Sequence, residues 1–226
     1  MKIKVFQIDP ELDRHSTLFR SYECAVKNAG KIDPEIYKTV FDGNVDAQDL
    51  EDVFAALNIS QPVGYNGHSL SASDIVEIEG SGCFYCDSIG FRELTDFDAS
   101  KVAPVVGYRM LVIEPHKEPY EMVIPDGLEA LQQAVGGWIE CTYPFDDNTY
   151  VIGNEEAKLI GLDGNRRING QIYAGTILIA GDDGWGGTMD LTDEQIQRYT
   201  EMFKTPEEIT PGEVRNDIWF AFVGFD

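Results

Sequence analysis

Cationic residues are scarce in this chain of 226 residues: 17 lysines and arginines stand against 40 aspartates and glutamates, for a formal net charge of -23. That shortage argues against direct nucleic-acid binding, because a nucleic-acid binder displaces phosphate counterions with Lys and Arg, and this surface would repel a duplex. Cysteine is scarce too. Cys24, Cys83, Cys86 and Cys141 are too few and too scattered for a disulfide framework in a chain of this length, so a reducing cytoplasm is the expected compartment. No run approaches the roughly 20 apolar residues of a membrane span, and no opening apolar run is flanked by bases, so the chain is expected to be soluble, unexported and without a membrane partner. The three histidines, His15, His68 and His116, follow no ligand or catalytic spacing. No metal and no cofactor is expected.

What is present suffices for two cores, with 43% hydrophobic residues. The expected class is α+β, in two small domains, residues 1–102 and 105–226, each a mostly antiparallel sheet packed with one or two helices. Acidity runs through both: 18 acids face 9 bases in residues 1–104, and 22 face 8 in residues 105–226. An acidic surface keeps a protein soluble, and it also suits basic macromolecular partners.

In the first half, IKVFQI (3–8) is an apolar, β-branched run stopped by Asp9-Pro10, a strand and its turn. A helix is expected between Leu18 and Asn28, and EIYKTVFDG reads as a strand. In AQDLEDVFAALN, Leu50, Val53, Phe54 and Leu57 recur at helical spacing behind Asp46, the expected cap. Asp46, Asp49, Glu51 and Asp52 crowd the other side, where the helix dipole favours acids with or without a partner.

Then comes GHSLSASDIVEI (67–78), whose hydroxyls, imidazole and carboxylates are either the material of an active site or a turn entering a strand. The turn is the better reading. Neighbouring residues on a strand face opposite ways, so His68 does not serve Ser69 or Ser71 as a base, and no G-x-S-x-G elbow surrounds either serine. Ser69, Ser71 and Ser73 are expected to bond local backbone while Leu70, Ile75 and Ile78 face the core. DIVEI and CFYCDSIGFREL form a hairpin. The C-x-x-C of Cys83 and Cys86 lacks a second ligand pair and reads as core thiols.

Past Ala103-Pro104 the pattern restarts. GYRMLVIEP and PYEMVI make one hairpin, and WIECTYP with TYVIGNE another. Between them LEALQQAVGG is a helix with Leu128, Leu131 and Val135 on one face, giving a sheet covered on one side. AGTILIAG is too apolar for an edge strand. GDDGWGGT lacks the ligand order of a calcium loop and reads as an exposed turn with an aromatic tip. Thr192 and Gln195 form a capping box ahead of Ile196, Tyr199, Met202 and Phe203, and DIWFAFVGF reads as a last strand that must pair. Asn165-Arg166-Arg167 places two cations in this acidic half, where they either clamp an anion or bridge to nearby acids and hold a loop down.

GHSLSASDIVEI followed by FYCDSIGF resembles the signature of the YodL-like domain, over roughly residues 35 to 97. The second half, from MLVIEP through DEQIQRYTEMF, resembles a domain family of unknown function from phages and conjugative elements. These resemblances imply a mobile-element accessory protein, and that setting implies counter-defence. The expected function is a non-enzymatic inhibitor with no catalytic residues. Its acidic face, Asp46, Asp49, Glu51 and Asp52, would imitate DNA phosphates and bind a basic host defence protein, a nuclease or restriction enzyme, in the host cytoplasm. Carboxylates at i, i+3 and i+4 give the needed row, with Cβ spacings of about 5 to 6 Å. The alternative is a binder of a small anionic, nucleotide-like ligand, held by Asn165, Arg166 and Arg167 with a pocket near Trp138 or Trp185.

Overall fold

The computed structural model describes residues 1–218, and the chain divides into two compact units, Met1–Val106 and Gly107–Asp226. Both are α+β with mostly antiparallel sheets. The expected last strand, DIWFAFVGF, lies outside the described residues from position 219 onward.

In the first unit the strands are β1 (Lys2–Ile8), β2 (Tyr37–Asn44), β3 (Ile75–Ile78), β4 (Gly82–Cys86) and β5 (Phe91–Leu94), in the sheet order β2-β1-β3-β4-β5. β1 lies between β2 and β3, which is why its residues from Val5 to Ile8 are all buried. One face gathers Phe6, Ile8, Tyr37, Ile75 and Tyr85 around Ala25 of α1 (Tyr22–Ala29). That helix is shorter than the sequence pattern predicts, because the Ser21 side chain accepts from the Cys24 amide and sets the cap there. CFYCDSIGFREL is two strands rather than one, split at a turn closed by Asp87 N donating to Gly90 O at 2.9 Å. Cys83 and Cys86 are buried and free, and burial pushes their thiols up to about 11 and about 12. They stay protonated, as core thiols do.

The amphipathic helix is α2 (Leu50–Ile59), which buries Val53 and Leu57, each worth about 1.5–3 kcal/mol when withdrawn from water. Its cap is Asp49 rather than Asp46: the Asp49 carboxylate accepts from the Asp52 amide at 2.9 Å, while Asp46 stands upstream in the loop. Phe54, expected on the buried face, is 38% exposed and meets Phe91 edge-on.

The second unit holds β6 (Gly107–Ile113), β7 (Tyr120–Pro125), β8 (Ile139–Thr142), β9 (Thr149–Asn154), β10 (Gly164–Ile168), β11 (Gln171–Ala174), β12 (Ile177–Asp182) and β13 (Thr188–Met189). Its main sheet runs β7-β6-β12-β9-β8, with β13 on the end of β12 and β10-β11 as a separate hairpin. The apolar run of residues 177–181 sits mid-sheet between β6 and β9, buried throughout. α3 (Leu128–Val135) buries Ala130, Ala134 and Val135 against β7 and β9, leaving Leu128 55% exposed, outside the expected face. α4 (Asp193–Phe203) packs Tyr199 and Phe203 onto Leu111, Ile113, Val151, Ile177 and Ile179. Because strand side chains alternate, the residues between these point toward α3, so the sheet is covered on both faces rather than one.

Three local signals shape the rest. The Thr192/Gln195 capping box starts α4, and a second box, Thr210/Glu213 with Pro211 at the first position, starts α5 (Pro211–Asn216). Asn169 and Gly170, with φ of 50° and 84°, form the two-residue turn of the β10-β11 hairpin, the mirror-image type that suits twisted strands. No helix among the described residues is long and apolar enough to cross a membrane.

Candidate functional site

The stretch GHSLSASD folds as a turn clamped by one glutamine. Gln7, buried on β1, accepts from the His68 amide at 3.1 Å through Oε1. Its Nε2 donates to the His68 carbonyl at 2.8 Å and to Asp74 Oδ2 at 3.1 Å. Tyr65 adds a hydroxyl bond to the same His68 carbonyl at 2.7 Å. Gly67 is required here, since a Cβ at that position would run into the Gln7 side chain. His68 Nδ1 lies 2.8 Å from the Ser69 carbonyl and 3.1 Å from Gln7 Nε2, so it donates to the one or accepts from the other according to the ring's tautomer. Ser71 Oγ donates to the Ser69 carbonyl rather than to the imidazole. Ser73 departs from the expected local pattern: its hydroxyl accepts from Phe19 N at 2.9 Å, far along the chain. Leu70 and Ile75 are buried and Ile78 half-buried. Asp74 is fully enclosed, and burial lifts its carboxyl to about 8 against the bonds from Ser71 and Gln7.

Asp46, Asp49, Glu51 and Asp52 are all exposed at the start of α2. None of the four joins an ion pair among the described residues. Two also serve the helix: Asp49 as the cap, and Asp52 by accepting from the Gln48 amide at 3.0 Å.

Asn165, Arg166 and Arg167 lie on β10, not in a loop, and the structure separates them. Asn165 is wholly buried and donates to the carbonyls of Ile113 and Gly175, both at 2.7 Å. Arg166, 1% exposed, spends its guanidinium on the carbonyls of Phe203, Asn165 and Lys117 and on the Asn165 side chain. Burial draws its pKa down. Arg167 alone faces outward, paired with Glu207 at 2.8 Å and Glu213 at 2.7 Å. Strand alternation sends one arginine into the core and the other to the surface, so the two guanidiniums do not converge, and Arg167 makes the bridge to nearby acids that was one of the two readings of the pair. Trp138 and Trp185 are 64% and 94% exposed.

A groove of about 510 Å³ does open in the second unit, between Glu140 and Thr142 of β8 and Ile172 and Tyr173 of β11, with Ile177 and Asp217 also on its walls. Sequence reasoning missed it, since β10-β11 was not recognised. Lys158 and Asp217 pair across its rim at 2.7 Å, and burial lifts the Glu140 carboxyl above its usual range with Lys158 opposing. Among the described residues no three of His, Cys, Asp and Glu converge to hold a metal ion.

Against family models, residues 2–97 match the YodL-like domain and residues 108–204 match a domain of unknown function, DUF3846. The first match begins with β1 and reaches well before the residue-35 start of the resemblance seen in the sequence. No curated protein and no solved structure matches the chain.

Proposed function

We propose that this chain, a YodL-like domain followed by a DUF3846 domain, acts by binding rather than by catalysis: an acidic counter-defence protein of a phage or plasmid. It occupies the DNA-binding surface of a basic host protein, a nuclease or restriction enzyme, in the cytoplasm of the host cell. The observation that supports this most is the unmatched acidity at the start of α2, where Asp46, Asp49, Glu51 and Asp52 are exposed and unpaired by cations among the described residues. Asp49 caps α2 and Asp52 stands in its first turn, with the Asp49 carboxylate on the Asp52 amide at 2.9 Å, so the two acids are close neighbours whose repulsion is relieved when a cationic groove closes over them. A chain carrying -23 also draws such a partner in from a distance.

The test compares the natural chain with a variant in which Asp46→Lys and Glu51→Lys reverse charge while Asp49→Asn and Asp52→Asn remove it and keep their capping oxygens. Capture from bacterial extract is followed by competition: the captured protein must bind duplex DNA, and added chain must displace that duplex, less effectively as salt rises. Equal displacement by the variant, or displacement indifferent to salt, overturns the proposal.

A further inference from the structure

Asp74 sits at the root of the 67–74 turn with no exposed side-chain surface, and its Oδ1 meets no donor. Its Oδ2 accepts from Ser71 N and Gln7 Nε2 and lies 3.6 Å from His68 Nδ1. The groups around it are Gln7 from β1, Tyr37 from β2, Tyr65 and His68 from the turn, and Tyr85 and Cys86 from β4. Burial lifts the three tyrosine hydroxyls far above their ordinary range and the Cys86 thiol to about 12, so all four are neutral through the physiological range. Farther out stand Asp87, which accepts from Tyr22 N, and Asp13; despite partial burial, bonds from Thr17 and Leu18 hold the Asp13 carboxyl below its usual range.

Across the turn lies the loop of residues 13–20, in a conformation that costs energy. Ser16 and Phe19 hold φ of 52° and 60°, and Ser73 beneath them 83°, left-handed values that cost each non-glycine residue about 1 kcal/mol. Phe19 holds this loop down in two ways: its amide donates to Ser73 Oγ, next to Asp74, and its ring rests on His68 with centroids 5.0 Å apart. Tyr85 secures the loop's far end by donating to the Arg20 carbonyl at 2.9 Å. Arg14, His15 and Arg20 on the loop are exposed.

We propose that protonation of Asp74 operates the 13–20 loop as a latch, closed on the 67–74 turn while the carboxyl keeps its proton and open once the carboxyl ionises. A charged Oδ1 has no donor in the closed form. Lifting Phe19 from Ser73 and His68 admits water to it and frees the imidazole to turn toward it. The sign follows from linkage. The closed form keeps the proton up to about 8, whereas a solvated carboxyl loses it near the ordinary value of about 4. Opening therefore releases a proton between those limits, and the opening equilibrium rises about tenfold per pH unit until it levels above about 8.

The experiment follows hydrogen exchange of the Phe19 amide in the full chain from pH 5 to 9, corrected for intrinsic exchange, with the β1 amides as the control for global unfolding. Phe19 protection is expected to fall about tenfold per unit up to about pH 8 and to stay well below that of the β1 amides, which open only with the whole unit and release the same proton when they do; Phe19 and β1 protection of equal size would mean that no local latch opens. Asp74→Asn should flatten the slope, and His68→Gln should keep it. If Asp74→Asn does not fold, carbon-13 titration of the Asp74 carboxyl in the unaltered chain decides instead. Phe19 protection independent of pH, a slope retained in Asp74→Asn, or a carboxyl titrating near 4 overturns the latch.

Discussion

Arg166 donates twice to the carbonyl of Phe203, from Nε at 3.2 Å and from Nη2 at 2.9 Å, and so caps the final residue of α4 from a neighbouring strand. The last carbonyls of a helix lack intrahelical donors and carry the negative end of its dipole, which offsets the cost of burying this cation without a carboxylate.

Arg166→Lys is therefore expected to destabilise the second unit on the order of 3 kcal/mol, because a point charge with three donors cannot reach Phe203, Asn165 and Lys117 together, and the carbonyls it abandons stay buried. Arg167→Ala, at the exposed neighbouring position, should change stability little. Urea unfolding of the two variants checks the ranking; equal midpoints would contradict it.

Asp49→Ala should cost about 1 kcal/mol through loss of the α2 cap, whereas Asp49→Asn should be close to neutral and Asp46→Ala should leave the helix unaffected. The same denaturation measurement distinguishes them, and a larger effect at Asp46 would return the cap to the position predicted from the sequence.

Gly67→Ala should destabilise the first unit by about 1–3 kcal/mol, since the new methyl displaces Gln7, which clamps His68 through both its amide and its carbonyl. Pairing it with Gln7→Ala makes a double-mutant cycle. If the collision is the cause, the two costs should not add.

Gly170→Ala should cost about 1 kcal/mol because φ of 84° admits glycine and penalises a Cβ. Asn169→Gly should be tolerated. Thermal melts of both variants, with circular dichroism as the readout, test whether this turn needs left-handed backbone.

What could be read from the sequence was local. The Thr192/Gln195 box, the central apolar run of residues 177–181 and the exposed Trp185 turn are encoded in a few adjacent residues, and the structure carries each of them. Asn169-Gly170 and the Thr210-Pro211-x-Glu213 start of α5 were equally local signals, and reading them would have placed the hairpin and the short helix. The fate of Arg166 was not legible in that way, because a guanidinium goes inward only when Phe203 and Lys117, distant in sequence, bring their carbonyls to it. Asp74 is the same case. Nothing beside it announces burial; Gln7, at the other end of the unit's sequence, is what encloses it. Of the candidate acids, their exposure followed from helical periodicity, but which one caps α2 depended on where the chain turned.

One guanidinium gathers positions as far apart as 117 and 203, and that has a consequence during synthesis. When β10 leaves the ribosome, Arg166 has Asn165 beside it but no helix end to receive it, and α4 is still to be made. A cation facing an apolar crevice keeps that crevice wet. The buried form of Arg166 is therefore expected to be reached only after residue 203 has been made. A chain halted before α4 offers chaperones and proteases an unfinished surface, with the arginine marking where it is incomplete.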